Sequence, residues 1–263
     1  AVAIPFLPVA TIGTAVAFYI GFKYNQAYDR LWEARKLWGG ITNTSRSLTA
    51  MVLALVEDPA QQKELLYRHL AYINILRLQL RRTVPWATSR ESLHQTFVSE
   101  AAELGEYEVA LKQLFTDYDK LDIYDRIKDR ASIGLGALYA QIEALTALKR
   151  SGAIDEYEHS DLVKQITTLI DLQGGCERIK MTPLFRQYSI FSRVFVDIFI
   201  VLLPFALLTE LSKMGPWQVW LTIPFSLLIS WVFFTMEQVG EYSENPFDNS
   251  LNDTPLSTIC RNI

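Results

Sequence analysis

The sequence contains few of the residues that catalytic and metal sites require. Its 263 residues include two cysteines and three histidines. Cys176 and Cys260 lie far apart and match no metal-ligand spacing, so we interpret them as reduced thiols on the cytosolic side. The three histidines, which we expect to be solvated or packed, are His69, His94 and His159. These scarcities argue against a metal centre.

Common enzyme motifs are also absent from the sequence. It contains no Gly-rich phosphate loop and no nucleophile elbow. Cys176 follows a double glycine, which a helix boundary explains better than catalysis does. The formal net charge of -4 argues against nucleic acid as a partner. We therefore expect neither an enzyme nor a bound cofactor.

Charge is missing from long stretches near both ends of the chain. Residues 1–22 and 217–236 are uncharged, and each stretch is long enough for a membrane-spanning helix of about 20 residues. Residues 194–208 form a shorter apolar stretch, which the tight connection 209–216 joins to the last one as a membrane hairpin. Asp197 lies in this stretch, and we favour an ion pair with Arg193, one turn away, over a functional intramembrane charge.

Basic residues flank these stretches on the side of the central region. They are Lys23, Arg30, Arg35, Lys36 and Arg46 after the first stretch, and Lys180, Arg186 and Arg193 before the second. Because positive residues mark the cytoplasmic side of a membrane, the central region is predicted to be cytosolic. The first stretch then enters from outside, which predicts a fourth spanning helix upstream of Ala1.

The central region has the periodicity of amphipathic helices and no alternating strand pattern. Asp58–Pro59 predicts a helix start and Ser89 a second N-cap. Gly152 and Gly174–Gly175 are predicted to end two further helices. The fold class is therefore all-α, with three visible membrane helices continuous with a helical cytosolic domain. The predicted segments are a pore-lining helix (1–22), a cytosolic domain (23–193), a membrane hairpin (194–236) and a cytosolic C-terminal segment (237–263).

Two neighbouring stripes run along the first apolar stretch with four-residue spacing. Small residues that would let helices pack closely are Gly13, Ala17 and Gly21. The adjacent stripe consists of Thr14, Phe18 and Phe22. The phenylalanines face either lipid or a sister helix, or, if several copies surround an axis, a hydrophobic constriction that gates ions by dewetting.

Four segments follow one another along the chain: "GFKYNQAYDRLWEARKLWGG" from Gly21, "GGCERI" from Gly174, "LLPFAL" from Leu202 and "ENPFDNSLNDTPL" from Glu244. In this order and with these separations they resemble segments of bacterial bestrophin homologues. The resemblance implies a homopentameric ion channel with a neck lined by Thr14, Phe18 and Phe22. The family is apolar at all three positions, and Thr14 departs from this pattern. The outer ring of the neck is therefore either a barrier or a weakly polar coordination site.

The same resemblance implies two further sites. A cytosolic restriction falls at Tyr157, or at Ile154 if the alignment slips by one turn. Animal members bind calcium after an Asn-Pro-Phe motif, and here the candidate ligands after that motif are Asp248, Asn252 and Asp253. This set has few carboxylates, so we expect weak or absent calcium binding and a structural turn.

We interpret the sequence as a multi-pass protein of the cell membrane, in bacteria the inner membrane. Its partners would be further copies of itself, membrane lipid and small monovalent ions. The ions are either chloride or sodium and potassium, because relatives of both kinds exist. The main alternative is a non-conducting membrane scaffold whose cytosolic helices bind partners, and a remote one is a membrane enzyme.

Overall fold

The computed structural model describes residues 4–82, 106–118, 121–182, 186–242, 245–247 and 253–263. Every regular element among these residues is a helix, which confirms the predicted all-α class for this part of the chain. The helices are α1 (Phe6–Leu55), α2 (Pro59–Arg81), α3 (106–117), α4 (Leu121–Ile127), α5 (Ile133–Ser151), α6 (Glu156–Met181), α7 (Arg186–Leu211), α8 (Thr222–Tyr242) and α9 (Leu256–Asn262). A short 3-10 helix, Gln218–Leu221, precedes α8.

The chain divides into two compact units. The first consists of Ala1–Trp32 and Pro183–Pro246, and the second of Glu33–Thr182 and Phe247–Ile263. Three helical stretches among the described residues are long and apolar enough to cross a membrane: Phe6–Leu55, Ile190–Leu211 and Gln218–Gly240. Helix lengths do not fix membrane boundaries, so the segment limits and the number of spans remain predictions.

Local sequence signals explain several helix ends. The Asp58 side chain accepts a hydrogen bond from the Ala60 amide at 3.0 Å, and Pro59 is the first residue of α2, as predicted. Gly152 ends α5 with a φ of 77°, a left-handed conformation that costs glycine little, and this end is also confirmed. The predicted N-cap Ser89 lies outside the described residues.

The predicted helix end at Gly174–Gly175 is wrong, because α6 continues to Met181. In this helix a glycine permits close approach of another side chain. A Cβ atom on Gly175 would lie 2.8 Å from Cδ2 of Leu37 in α1, and one on Gly40 would lie 2.9 Å from Cδ2 of Leu172 in α6. Each helix thus offers one glycine to a leucine of the other, whereas a Cβ atom on Gly39 or Gly174 would meet nothing within 4 Å.

Glu177 of the "GGCERI" segment connects three helices of the second unit through hydrogen bonds. Oε1 of Glu177 accepts hydrogen bonds from Nε2 of Gln79 at 2.9 Å, Nε2 of Gln173 at 2.8 Å and the Ser132 hydroxyl at 3.1 Å. Ser132 is also the N-cap of α5. One carboxylate therefore ties α2, α6 and the start of α5 together, and its role here is structural.

Candidate functional site

The first half of α1 has a buried face and, opposite to it, an exposed face. An α-helix turns by about 100° per residue, so residues separated by three, four or seven positions share a face. The face that is buried within the first unit consists of Val9, Val16, Ile20, Lys23 and Ala27. The opposite face is exposed and carries Leu7, Thr11, Thr14, Phe18, Phe22, Asn25 and Asp29. The whole predicted neck stripe therefore lies on the face that the protomer leaves uncovered.

The two phenylalanines of this stripe are the most conspicuous apolar groups on it after Leu7. Phe18 is 67% exposed and Phe22 is 60% exposed. Between them and the N-terminal end of α1 lies Thr14, whose hydroxyl donates to the Ala10 carbonyl at 3.0 Å. Because its proton is used within the helix, Thr14 presents a methyl group and an acceptor oxygen but no free donor.

The three residues of the stripe of small side chains have different surroundings. Gly13 is buried against α7, where a Cβ atom on it would lie 2.6 Å from Cε2 of Phe199. Ala17 is exposed, and a Cβ atom on Gly21 would meet nothing within 4 Å. Gly13 thus packs inside the first unit, whereas Ala17 and Gly21 leave room for a helix from outside the protomer.

The two candidates for the cytosolic restriction differ in exposure within the second unit. Tyr157 is 80% exposed in the first turn of α6, whereas Ile154 is buried in the core. A capping box of Asp155 and Glu158 fixes the start of this helix. Of the two side chains, only that of Tyr157 is exposed within the second unit.

The calcium candidates are only partly described. Asp248 and Asn252 lie outside the described residues, and Asp253 is buried. Phe247 of the Asn-Pro-Phe motif is buried in the core of the second unit. Among the residues that the structure describes, no group of three or more metal-binding side chains comes together. This geometry supplies no calcium site from the described residues.

The sequence reasoning missed a buried polar cluster in the first unit. Lys23 of α1, counted above as a positive flanking residue, is 1% exposed and forms an ion pair with Glu237 of α8 at 2.7 Å. Ser192 of α7 donates a hydrogen bond to the other carboxylate oxygen at 2.5 Å. The available signal was a lone lysine directly after one apolar stretch and a lone glutamate directly after another.

Asp197, the charge within the second predicted membrane segment, behaves differently from our expectation. Asp197 is exposed on α7, and among the described residues no ion pair joins it to Arg193. The predicted pair is therefore wrong, and the carboxylate lies on the outer surface of the first unit. Spacing of four residues permits such a pair but does not require it, because an exposed pair stabilises a helix only slightly.

The segment 217–240, which contains the 3-10 helix and most of α8, presents large apolar side chains to the outside. Trp217 is 82% exposed, Trp220 is 68%, Leu227 is 68% and Trp231 is 62%. Exposed apolar surface of this extent is typical of a segment that contacts lipid or another subunit. The tryptophans lie toward the ends of the apolar stretch, where membrane interfaces favour them.

Comparison with known proteins agrees with this architecture. The family model for "Bacterial/Fungal Bestrophin protein" matches residues 1–263. A voltage-dependent anion channel-forming protein of Mesorhizobium japonicum is 31% identical over 97% of this chain and 71% of its own, and YneE of Escherichia coli K12, of the same description, is 29% identical over 97% and 73%.

Solved structures show the same fold. A bacterial bestrophin homologue from Klebsiella pneumoniae solved by Zn-SAD phasing superposes with a TM-score of 0.81, covering 99% of this chain and 85% of the other. A variant of the Klebsiella homologue with a single substitution superposes with a TM-score of 0.80 over the same shares, and both are 23% identical to this chain. The match of the family model along the full length, together with the relative at 31% identity, shows that this chain belongs to the bestrophin family.

Proposed function

We propose that this chain assembles as a homopentamer and passively conducts small monovalent ions through a hydrophobic neck in a bacterial inner membrane. Thr14, Phe18 and Phe22 of each copy would surround the axis, with Tyr157 as a second restriction in the second unit. Flux would follow the electrochemical gradient without cofactor or covalent chemistry. The observation that carries the proposal is the bare aromatic stripe on α1, opposite the face that the protomer buries.

The physics of such a neck follows from its side chains. Rings of phenylalanine offer water and ions no hydrogen bond or full charge, so a narrow ring raises the barrier to wetting. Thr14 would add a weakly polar ring at the outer end. The neck by itself would discriminate little between cations and anions, so charged residues elsewhere along the water path would set the preference.

The relatives from Mesorhizobium and Escherichia are described as anion channel-forming, which makes chloride the first ion to test. Sodium and potassium remain the alternative. A recording across a planar bilayer with asymmetric NaCl decides between them, because the sign of the reversal potential gives the preferred charge.

The neck assignment is tested by truncating one aromatic ring in purified protein. Phe18→Ala should raise the flux into liposomes by about twofold or more, because it widens and wets the constriction. Phe225→Ala is the matched control, since Phe225 is an exposed phenylalanine of α8 outside the stripe. Native mass spectrometry of both variants checks that the pentamer is retained.

The outcomes separate the proposed channel from its alternatives. If Phe18→Ala leaves the pentamer intact and the flux unchanged, the assignment of the neck to α1 is wrong. Pentamers of the unmodified chain that pass no ion would favour a membrane scaffold. A monomeric particle in mild detergent would contradict the proposal as a whole.

A further inference from the structure

The buried cluster of Lys23, Ser192 and Glu237 joins three helices of the first unit. Nζ of Lys23 lies 2.7 Å from Oε1 of Glu237, and the Ser192 hydroxyl lies 2.5 Å from Oε2. The lysine and serine are each 1% exposed, and the carboxylate side chain is 6% exposed. The cluster therefore connects α1, α7 and α8 out of contact with solvent.

A charge pair in such a place is costly to maintain. Two charges lose their hydration on burial, and their attraction offsets this loss only where the geometry is good and the remaining oxygens find donors. Both conditions hold here, because each carboxylate oxygen has its own donor. The best-attested role of buried polar contacts is to select one register among several apolar packings, since any other register leaves a charge unpaired.

The position of Lys23 in α1 links the choice of helix register to the direction of the exposed phenylalanines. Lys23 directly follows Phe22, and it lies on the same face as the buried Ile20 and Ala27. Phe18 and Phe22 lie on the other side of the helix and are exposed. If α1 rotated about its axis, Lys23 would leave Glu237 as the phenylalanines changed direction. An apolar face alone resists such a rotation less sharply, because one aliphatic contact can replace another.

We propose that Lys23, Glu237 and Ser192 are positioning residues that fix the rotation of α1 and so hold Phe18 and Phe22 toward the ion path. This inference rests on the proposed function. The residues themselves do not touch the permeating ion. Breaking the pair changes conduction through the direction of the aromatic rings and leaves every residue of the neck in place.

The stem of Lys23 runs beside Gly240 of α8. A Cβ atom on Gly240 would lie 3.5 Å from Cδ of Lys23, an ordinary contact distance, so the lysine stem passes α8 one turn after Glu237. The apolar stem is thus held along α8 while its ammonium group reaches the carboxylate.

The experiment measures how accessible position 22 is to water, which depends on the rotation of α1. Phe22→Cys is introduced, and its rate of modification by a water-soluble thiol reagent is measured in pentamers in liposomes. Glu237→Gln or Lys23→Met in this background should change that rate by about threefold or more, and the same substitutions in the chain that keeps Phe22 should change the single-channel conductance. Because the labelling needs no ion flux, it still reports on the orientation if the unmodified chain proves non-conducting, an outcome that contradicts only the proposed function.

Matched variants separate positioning from simple stability. The exposed pair Lys213–Glu210 lies in the same unit with 2.8 Å between its charged atoms, so Glu210→Gln removes an ion pair without changing α1 and should leave both readouts unchanged. The exchange Lys23→Glu with Glu237→Lys keeps a pair and should bring both readouts back toward those of the unmodified chain.

Pentameric single variants with unchanged labelling and conductance would overturn the inference. If the single variants do not assemble, the exchange decides: assembly with restored labelling supports the inference, and failure to assemble or altered labelling overturns it.

Discussion

Gly13 of α1 lies directly against the ring of Phe199 in α7. A Cβ atom on Gly13 would lie 2.6 Å from Cε2 and 2.9 Å from Cζ of this ring, distances at which the ring or the helix must move. Phe199 is itself buried, and its ring lies 4.6 Å, centroid to centroid, from the ring of Phe233 of α8 at an interplanar angle of 48°. The contact therefore fixes how closely α1 approaches the hairpin of α7 and α8.

Gly13→Ala is expected to destabilise the detergent-solubilised protein by about 1–3 kcal/mol, because one methyl group overpacks this contact. The loss should appear as a lower unfolding temperature. Phe199→Leu in the same chain should recover part of it by removing the ring atoms that clash. Equal unfolding temperatures for Gly13→Ala and the unmodified protein would show that the ring moves away at little cost.

Gly21→Ala is the contrasting substitution in the same helix. A Cβ atom there meets nothing within 4 Å of the protomer, so the stability of the protomer should not fall. If Gly21 packs against a neighbouring copy, the substitution should weaken the pentamer alone. Native mass spectrometry at graded detergent concentration measures this, and a fully stable pentamer would place Gly21 outside the subunit contact.

The exposed face of α1 continues past the proposed neck to Asn25 and Asp29, which predicts a contribution to ion preference. In a pentamer five Asp29 carboxylates would attract cations and repel anions. Asp29→Asn should therefore raise the anion-to-cation permeability ratio by about twofold or more, whichever ion the unmodified channel prefers.

The measurement for Asp29 is the reversal potential in asymmetric NaCl at low ionic strength, where charges are least screened. Glu108→Gln, which neutralises an exposed carboxylate of α3, is the reference for an effect of net charge alone. Equal shifts in the two variants would assign the effect to the overall charge of the protein and not to the water path.

His69 makes the stability of the second unit depend on pH. The residue is buried in α2, neither ring nitrogen has a hydrogen-bond partner among the described residues, and burial lowers its pKa to about 4. An unfolded histidine has a pKa of about 6.5. Between these values the unfolded chain binds a proton that the folded chain does not, so stability falls as the pH falls from about 6.5 to about 4.

The full effect corresponds to about 3 kcal/mol at 1.36 kcal/mol per pKa unit. Denaturant unfolding at pH 7.5 and pH 5 should show about 2 kcal/mol of this effect, since pH 5 lies about 1.5 units below the unfolded pKa, and His69→Phe should reduce the difference between the two conditions. His159→Gln, which leaves His69 in place, should keep that difference. A His69→Phe protein with the same pH dependence as the unmodified one would assign the effect to other groups.

The native thiols should be unreactive in the folded protein. Burial raises the pKa of Cys176 to about 12, with a further contribution from the charges of Glu177 and Glu33, and burial raises that of Cys260 to about 11. Only the thiolate reacts, so maleimide labelling at pH 7.5 should be on the order of 10³ slower than for an exposed thiol.

Tyr157→Cys provides the comparison, since this position is 80% exposed. It should be labelled rapidly in the protein whose native thiols are not. Fast labelling of the unmodified protein would show that the core opens, and the cysteine experiments above would then need a chain without Cys176 and Cys260.

Several features of this protein follow from its sequence alone. Uncharged stretches of about 20 residues predict membrane-spanning helices whatever the rest of the chain does, because backbone groups in lipid must form their hydrogen bonds within the helix. Asp58–Pro59 and Gly152 identify helix ends because their effect on the backbone is local. The stripe of Thr14, Phe18 and Phe22 is likewise a consequence of spacing on one helix.

Only the tertiary structure decided what those local features face. Gly174–Gly175 could end a helix or admit a neighbouring side chain, because a missing Cβ atom serves both purposes, and Leu37 resolves the choice. Lys23 appeared to be a flanking charge until Glu237, 214 residues away in the chain, was found beside it. Periodicity describes one element at a time, whereas the partner of a buried charge is determined by how the helices pack together.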